Sequence, residues 1–141
     1  LLRERGIRFS RFTSPDASNP EAVLVDTIGV LARLYGLGRV AVMCGTFVPI
    51  GGHNLLEAAV HGIPVVYGPH MHKQPELMRL FGPTEGGIQI QAAELSAVLE
   101  RLLTDEGERS RRGAAALKAA SLSRGSARRT VEFFKKYLER A

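Results

Sequence analysis

Gly51-Gly52-His53-Asn54-Leu55-Leu56-Glu57, followed by Gly62-Ile63-Pro64-Val65-Val66-Tyr67-Gly68-Pro69-His70, is the stretch whose reading decides the fold. Two adjacent glycines carry no Cβ and accept positive φ, so the backbone can pass close to a ligand there. The residues from Asn54 to His61 read as a short helix with Leu55, Leu56, Ala59 and Val60 on its apolar side. Asn54 is a candidate N-cap, which would leave free backbone N–H groups over Gly51 and Gly52. Such a helix start attracts phosphate or carboxylate. Glu57 lies one turn on, within reach of a sugar hydroxyl. An anion cradle with a hydroxyl acceptor beside it suits a nucleotide sugar. Pro64 to Tyr67 then reads as a buried strand.

Working outward, strands and helices alternate. Ile7 to Phe12 alternates apolar and polar residues as a half-buried strand does, and Thr13 to Pro20 is a loop marked by Ser14-Pro15-Asp16 and Asn19-Pro20. Ala22 to Val25 is a short apolar run, after which Thr27 is placed to cap a helix from Ile28 to Tyr35. Val40 to Met43 is a buried-type strand, Gln74 to Phe81 a helix ended by Gly82-Pro83, and Gly87 to Ile90 a weakly signalled strand. From about 92 to 141 the period is helical, with apolar stripes at Leu95, Val98, Leu99 and Leu102, at Ala114 to Ala120, and at Val131, Phe134 and Leu138. The pattern predicts an α/β fold: a Rossmann-like parallel sheet with helices on both faces, ending in C-terminal helices. Ligands in such folds sit at the C-terminal ends of the strands. The loops after Asp26, Cys44 and Tyr67 fall there, and they carry the unusual residues.

At 141 residues the chain is long enough for one core burying roughly two-thirds of the unfolded surface. It is therefore expected to form a single domain over residues 1–141. Leu1 to Gly6 reads as the last turn of a helix closed by a glycine, so the chain is expected to be a piece of a longer protein, cut inside a βα unit. No run of about 18 apolar residues is present, which excludes a helical membrane span in this stretch. The single Cys44 excludes an intramolecular disulfide, and its apolar context predicts a buried thiol. The net charge of +5 arises entirely from Asp105 onward. There Arg109, Arg111, Arg112, Lys118, Arg124, Arg128, Arg129, Lys135 and Lys136 cluster, as a solvated helical surface or one attracted to an anionic membrane. No nucleic-acid-binding motif accompanies them.

The candidate site residues are Ile28 and Gly29, Thr46 and Pro49, and Gly51, Gly52, His53, Asn54 and Glu57. Thr46 either donates to a phosphate or satisfies a turn. His53 stands beside the glycines, while His61 reads as a partner for the helix C-terminus. The four histidines and one cysteine make no recognisable metal set, so neither a metal nor a cofactor is expected. No general base is evident, so no catalytic residue is assigned within the chain. Its expected contribution is positioning and charge stabilisation.

Asp26-Thr27-Ile28-Gly29, Leu34-Tyr35-Gly36, the Gly51 to Glu57 segment and Gly68-Pro69-His70 resemble the C-terminal domain of 3-deoxy-D-manno-octulosonic acid (Kdo) transferases. The resemblance runs from about Ala22 to the C-terminus. It implies the C-terminal, donor-binding domain of a GT-B glycosyltransferase that moves Kdo from CMP-Kdo to lipid A precursor in lipopolysaccharide biosynthesis. The implied setting is the cytoplasmic face of the bacterial inner membrane, although this piece itself is expected to be soluble. The catalytic Glu, the acceptor site and the membrane anchor would lie in an N-terminal domain outside this chain. Gly51, Gly52, His53 and Asn54 would hold the phosphate and Kdo carboxylate region, Glu57 the ribose hydroxyls, and Ile28 with Gly29 would lie near the cytosine. The chain departs from the usual pattern at Val30, at Ile50 where an arginine is common, at Leu55, and at Lys73-Gln74. Another GT-B enzyme using a UDP-sugar (a transferase or epimerase) and a non-catalytic interaction module of the same fold are the alternatives.

Overall fold

A computed structural model of the chain describes residues 1–16, 18–123 and 134. It divides into two compact units, Leu1–Leu34 and Tyr35–Ala141.

In the first unit a 3-10 turn at Arg3–Arg5 ends on Gly6, whose φ of 68° lets its N–H close back on the Arg3 carbonyl. Strands β1 (Phe9–Arg11) and β2 (Ala22–Leu24) pair in parallel, with Ser10 opposite Val23. The buried Ser10 hydroxyl accepts the Asp16 N–H at 3.1 Å and so folds the intervening loop onto β1. Helix α1 (Leu31–Leu34) is shorter than the expected span from Ile28 to Tyr35. The reason lies at Gly29: its φ of 88° belongs to no right-handed helix, so winding begins only after it.

The second unit is a three-stranded parallel sheet with strand order β3-β4-β5. Strand β3 is Ala41–Met43, β4 is Val65–Tyr67 and β5 is Gly87–Gln89. Ala41 pairs with Val65, and Val65 with Gly87. Among the described residues the helices that accompany the sheet include α2 (Leu56–Ala59), α3 (Pro75–Phe81), α4 (Leu95–Thr104) and α5 (Glu106–Ser123). The central strand β4 is buried along its whole length. Side chains alternate across a strand, so its residues feed two cores. Val65 and Tyr67 pack with Leu55, Ala58, Leu77, Phe81 and Ala116 of the α2, α3 and α5 side. Val66 packs with Ile88, Val98 and Leu102 of the α4 side. Helices thus cover both faces, as the sequence pattern predicts. Full burial of Phe81 and Leu102 stabilises the unit by about 1.5–3 kcal/mol each.

Helix α5 meets the sheet through small residues, Gly113, Ala116, Ala119 and Ala120. Its backbone comes so close that a Cβ on Gly113 would collide with the Gly62 carbonyl, and one on Gly86 with the Ala116 backbone. Arginines then fasten it. Arg112 donates to the Glu108 carboxylate at 2.7 Å and to the Glu85 carbonyl at 2.9 Å, while Arg111 pairs with Glu85. Arg109 donates to the free Leu102 carbonyl at the end of α4 at 3.0 Å. Three of the clustered basic residues are therefore spent inside the fold. Arg124, Arg128, Arg129, Lys135 and Lys136, with the stripe residues Val131 and Leu138, lie outside the described residues. Among the described residues no helix is long and apolar enough to cross a membrane.

Cys44 differs from expectation: it is exposed. Strand β3 ends at Met43 and the chain turns into a 3-10 helix at Cys44–Thr46, so the strand alternation that would bury the thiol stops one residue too soon.

Replacing Gly113 by Ala tests the close approach of α5. Helix propensity alone would make this change stabilising by about 1 kcal/mol. The collision with Gly62 should instead make it destabilising by about 1–3 kcal/mol in urea unfolding.

Candidate functional site

The loops that leave β3 and β4 are joined by one buried side chain. Thr46, fully buried, donates its hydroxyl proton to the Met43 carbonyl at 2.5 Å and accepts the Gly68 N–H at 2.6 Å. Its carbonyl accepts the His70 N–H at 3.0 Å. Both polar functions of the Thr46 hydroxyl are therefore committed within the fold, and the turn-closing alternative is the one realised. Thr46 thereby ties together the two loops that border the candidate stretch. Gly68 is required by the same approach, because a Cβ there would meet the Thr46 and Phe47 backbone.

The chain next turns through Phe47–Ile50, leaving Pro49 exposed and Ile50 56% exposed. It then runs irregularly from Gly51 to Asn54. Gly51 and Gly52 have φ of 107° and 97°, a conformation that L side chains rarely adopt. The segment His70–Lys73 lies against this pair. The Lys73 N–H donates to the Gly51 carbonyl at 3.1 Å, and a Cβ on Gly52 would meet the Met71 sulfur and the His70 carbonyl. The N–H groups of Gly51, Gly52, His53 and Asn54 find no acceptor among the described residues. The exposed His53 ring rests on the Gly45 backbone, where a Cβ would overlap it.

Helix α2 is a single turn, shorter than the span from Asn54 to His61, and its N-cap position is Leu55. Asn54 still acts at its start. Its Oδ1 accepts the Leu56 N–H at 3.1 Å, and its Nδ2 donates to Glu57 Oε1 at 3.3 Å. The Asn54 amide thus bridges helix start and carboxylate, holding the exposed Glu57 beside the cradle. Tyr35, from the 3-10 turn Tyr35–Leu37, stands close by with its hydroxyl 3.7 Å from the Met43 sulfur. Burial raises the Tyr35 phenol above its usual range, and the nearby Glu57 charge adds to the rise.

Of the nine candidates, seven (Thr46, Pro49, Gly51, Gly52, His53, Asn54 and Glu57) occupy one continuous stretch of the second unit. Ile28 and Gly29 belong to the first unit, where Ile28 is 98% exposed. Just before them, Asp26 is held below its ordinary carboxyl range, chiefly by the Thr13 hydroxyl donating at 2.9 Å. The Thr13 N–H and the Arg11 guanidinium, 3.6 Å away, add to this. Two neighbours of this stretch lay outside the candidate set: the sequence singled out Tyr35 only within a motif and Lys73 only as a departure from the usual pattern, and the position of Lys73 over Gly51 depends on the turn at His70–Lys73. Among the described residues no group of three or more His, Cys, Asp or Glu is arranged to hold a metal ion.

In fold the chain is similar to the C-terminal CMP-Kdo binding domain of WaaA from Acinetobacter baumannii. The TM-score is 0.76 at 23% identity, over 87% of this chain and 65% of that one. The architecture is that of the C-terminal domain of a GT-B glycosyltransferase. No family model matches. Sequence relatives narrow the class further. The chain is 37% identical to a Kdo transferase from Chlamydia muridarum over 128 residues, covering 87% of this chain and 30% of the relative. It is 39% identical to the Kdo transferase of Aquifex aeolicus over 107 residues, 75% of this chain and 30% of that one. The match to the Haemophilus influenzae enzyme is 31% over 144 residues, 99% of this chain and 34% of that one. The chain is a relative of the Kdo transferases and corresponds to their C-terminal domain. It spans about a third of the length of these curated relatives.

Two outcomes follow from the site's internal bonds. Thr46→Val keeps the shape but leaves the Gly68 N–H without its acceptor and takes the hydroxyl from the Met43 carbonyl; we expect a loss of about 1–3 kcal/mol in chemical unfolding, largely recovered by Thr46→Ser. The second concerns pH. Tyr35 and Tyr67 are both raised, each mainly by burial, so the unfolded chain releases their protons first. Their contribution to stability is full below pH about 10 and is lost as pH rises through the folded values. Phenolate absorbance should show Tyr35 titrating lower in Glu57→Gln while staying above its ordinary value, because burial remains. An unchanged midpoint would remove the carboxylate as a cause.

Proposed function

We propose that this chain is the donor-binding part of a Kdo transferase, and that the stretch from Gly51 to Glu57 binds CMP-Kdo. The observation that carries the reading is the run of main-chain N–H groups from Gly51 to Asn54 without a protein acceptor. Unspent donors of this kind match the phosphate and the Kdo carboxylate. They act as fixed dipoles, so they cost no reorganisation as negative charge develops on the departing CMP. His53, seated on Gly45, adds a donor at the rim. Glu57, steadied by Asn54, accepts the ribose hydroxyls. Pro49 sets the entry of the chain into the glycine pair.

In this reading the acceptor hydroxyl of a lipid A precursor attacks the anomeric carbon of Kdo. The bond to the CMP phosphate oxygen breaks, and CMP leaves within the cradle. The base that takes the acceptor's proton comes from the remainder of the full-length protein, as do the acceptor site and the anchorage at the cytoplasmic face of the inner membrane. This chain contributes orientation and charge stabilisation.

Calorimetric or thermal-shift titration with CMP and UMP tests the proposal. CMP at about one hundred times its Kd should stabilise the chain by about 2.7 kcal/mol. Glu57→Ala should weaken CMP binding by about 1.5–3 kcal/mol, the range for a hydrogen bond to a charged group. Preference for UMP would point to a UDP-sugar enzyme, and a folded chain indifferent to both nucleotides would point to an interaction module.

A further inference from the structure

We infer that Lys73 is a binding residue for the anionic part of the nucleotide, reaching it across Gly51; this rests on the nucleotide-sugar reading above. Three observations converge on it. First, the Lys73 side chain is laid along the glycine backbone. A Cβ on Gly51 would run into its Cγ, Cδ and Cε, the last at 2.8 Å. The ammonium, one bond beyond Cε, therefore lies in the neighbourhood of the cradle. Second, the placement is anchored at the main chain, since the Lys73 N–H donates to the Gly51 carbonyl at 3.1 Å. The Gln74 N–H donates to Met71 at 2.9 Å, which closes the turn that presents the side chain. Third, Lys73 is exposed and no carboxylate pairs with it among the described residues.

The local charge balance supports the same conclusion. Glu57 is the acidic group of the cradle, and the Asn54 amide already engages it. The main-chain donors of Gly51 to Asn54 carry only partial positive charge. A full cation nearby strengthens the hold on a ligand bearing a phosphate and a carboxylate, and the ammonium beside Gly51 is placed to supply it. The close approach also explains the glycine in structural terms: any side chain at position 51 would displace Lys73 from the cradle.

Isothermal titration of the 141-residue chain with CMP and with cytidine, the same nucleoside without phosphate, tests the inference. Lys73→Met keeps the length of the stem and removes the charge, and Lys73→Gln is the second variant. Both should weaken CMP about tenfold and leave cytidine within about twofold, and the salt dependence of CMP binding should become shallower. CMP affinity within twofold of the parent in either variant would overturn the role of Lys73 while leaving the nucleotide reading intact. An equal loss for CMP and cytidine would overturn it too, since that is the signature of disturbed packing. A parent chain that binds neither compound would overturn both.

Discussion

The Thr46 hydroxyl is the interaction on which the site's geometry depends. A parallel sheet leaves each strand's following loop free to wander, since the next strand is reached only through a crossover. Here a single buried side chain ties the loop after β3 to the loop after β4, using its proton on Met43 and its lone pair on Gly68. The bond lies in a fully buried place, where an unmade partner costs more than the bond itself gains. The two loops therefore move as one piece. That coupling brings His70–Lys73 against Gly51 and Gly52, and the cradle exists only because both loops are held at once.

Beneath the loops, the sheet is rigid for a different reason. Strand β4 is buried on both faces, and its alternating side chains enter two separate cores. A shift of one residue in its register would exchange those cores, putting Val66 where Val65 and Tyr67 now pack. Helix α5 then locks the unit through backbone approach instead of bulk, with Gly113 against Gly62 and Ala116 against Gly86. Small residues offer little apolar area, so the arginine contacts at Glu85, Glu108 and Leu102 provide directional bonds where surface burial is limited. Much of the basic character of the described C-terminal helices is structural for this reason.

The order of strands and helices was legible because hydrophobic period and glycine–proline punctuation are local properties. The Pro64–Tyr67 run and the stripe from Leu95 to Leu102 each found their element within a residue or two. What escaped was set by geometry that no local pattern carries. The positive φ of Gly29 cut short a helix that periodicity extended back to Ile28. The 3-10 turn after Met43 exposed Cys44, whose apolar neighbours had argued for burial. Thr46 stood evenly between ligand and turn, because a threonine looks the same in sequence whether its hydroxyl meets a phosphate or the N–H of a glycine far along the chain. The glycine pair was readable as a place of close approach, but which side chain makes that approach depends on the turn at residues 70–73.

Lys73 over Gly51 shows how a binding surface and a conformational constraint become one feature. Gly51 carries a φ that disfavours side chains, and the space where a side chain would project is filled by the lysine stem. Removing the glycine would therefore exert two penalties at one position, backbone strain and the loss of a seated cation. Removing the lysine charge would leave the backbone geometry untouched. The asymmetry separates shape from charge in the proposed cradle: the glycines set where the main-chain donors stand, and in the reading proposed above the ammonium would set how strongly an anion is held there. A cation on a flexible stem also yields to ligands of different size, whereas fixed N–H dipoles do not. The arrangement thus combines a rigid half, built on Thr46, with an adaptable half, built on Lys73.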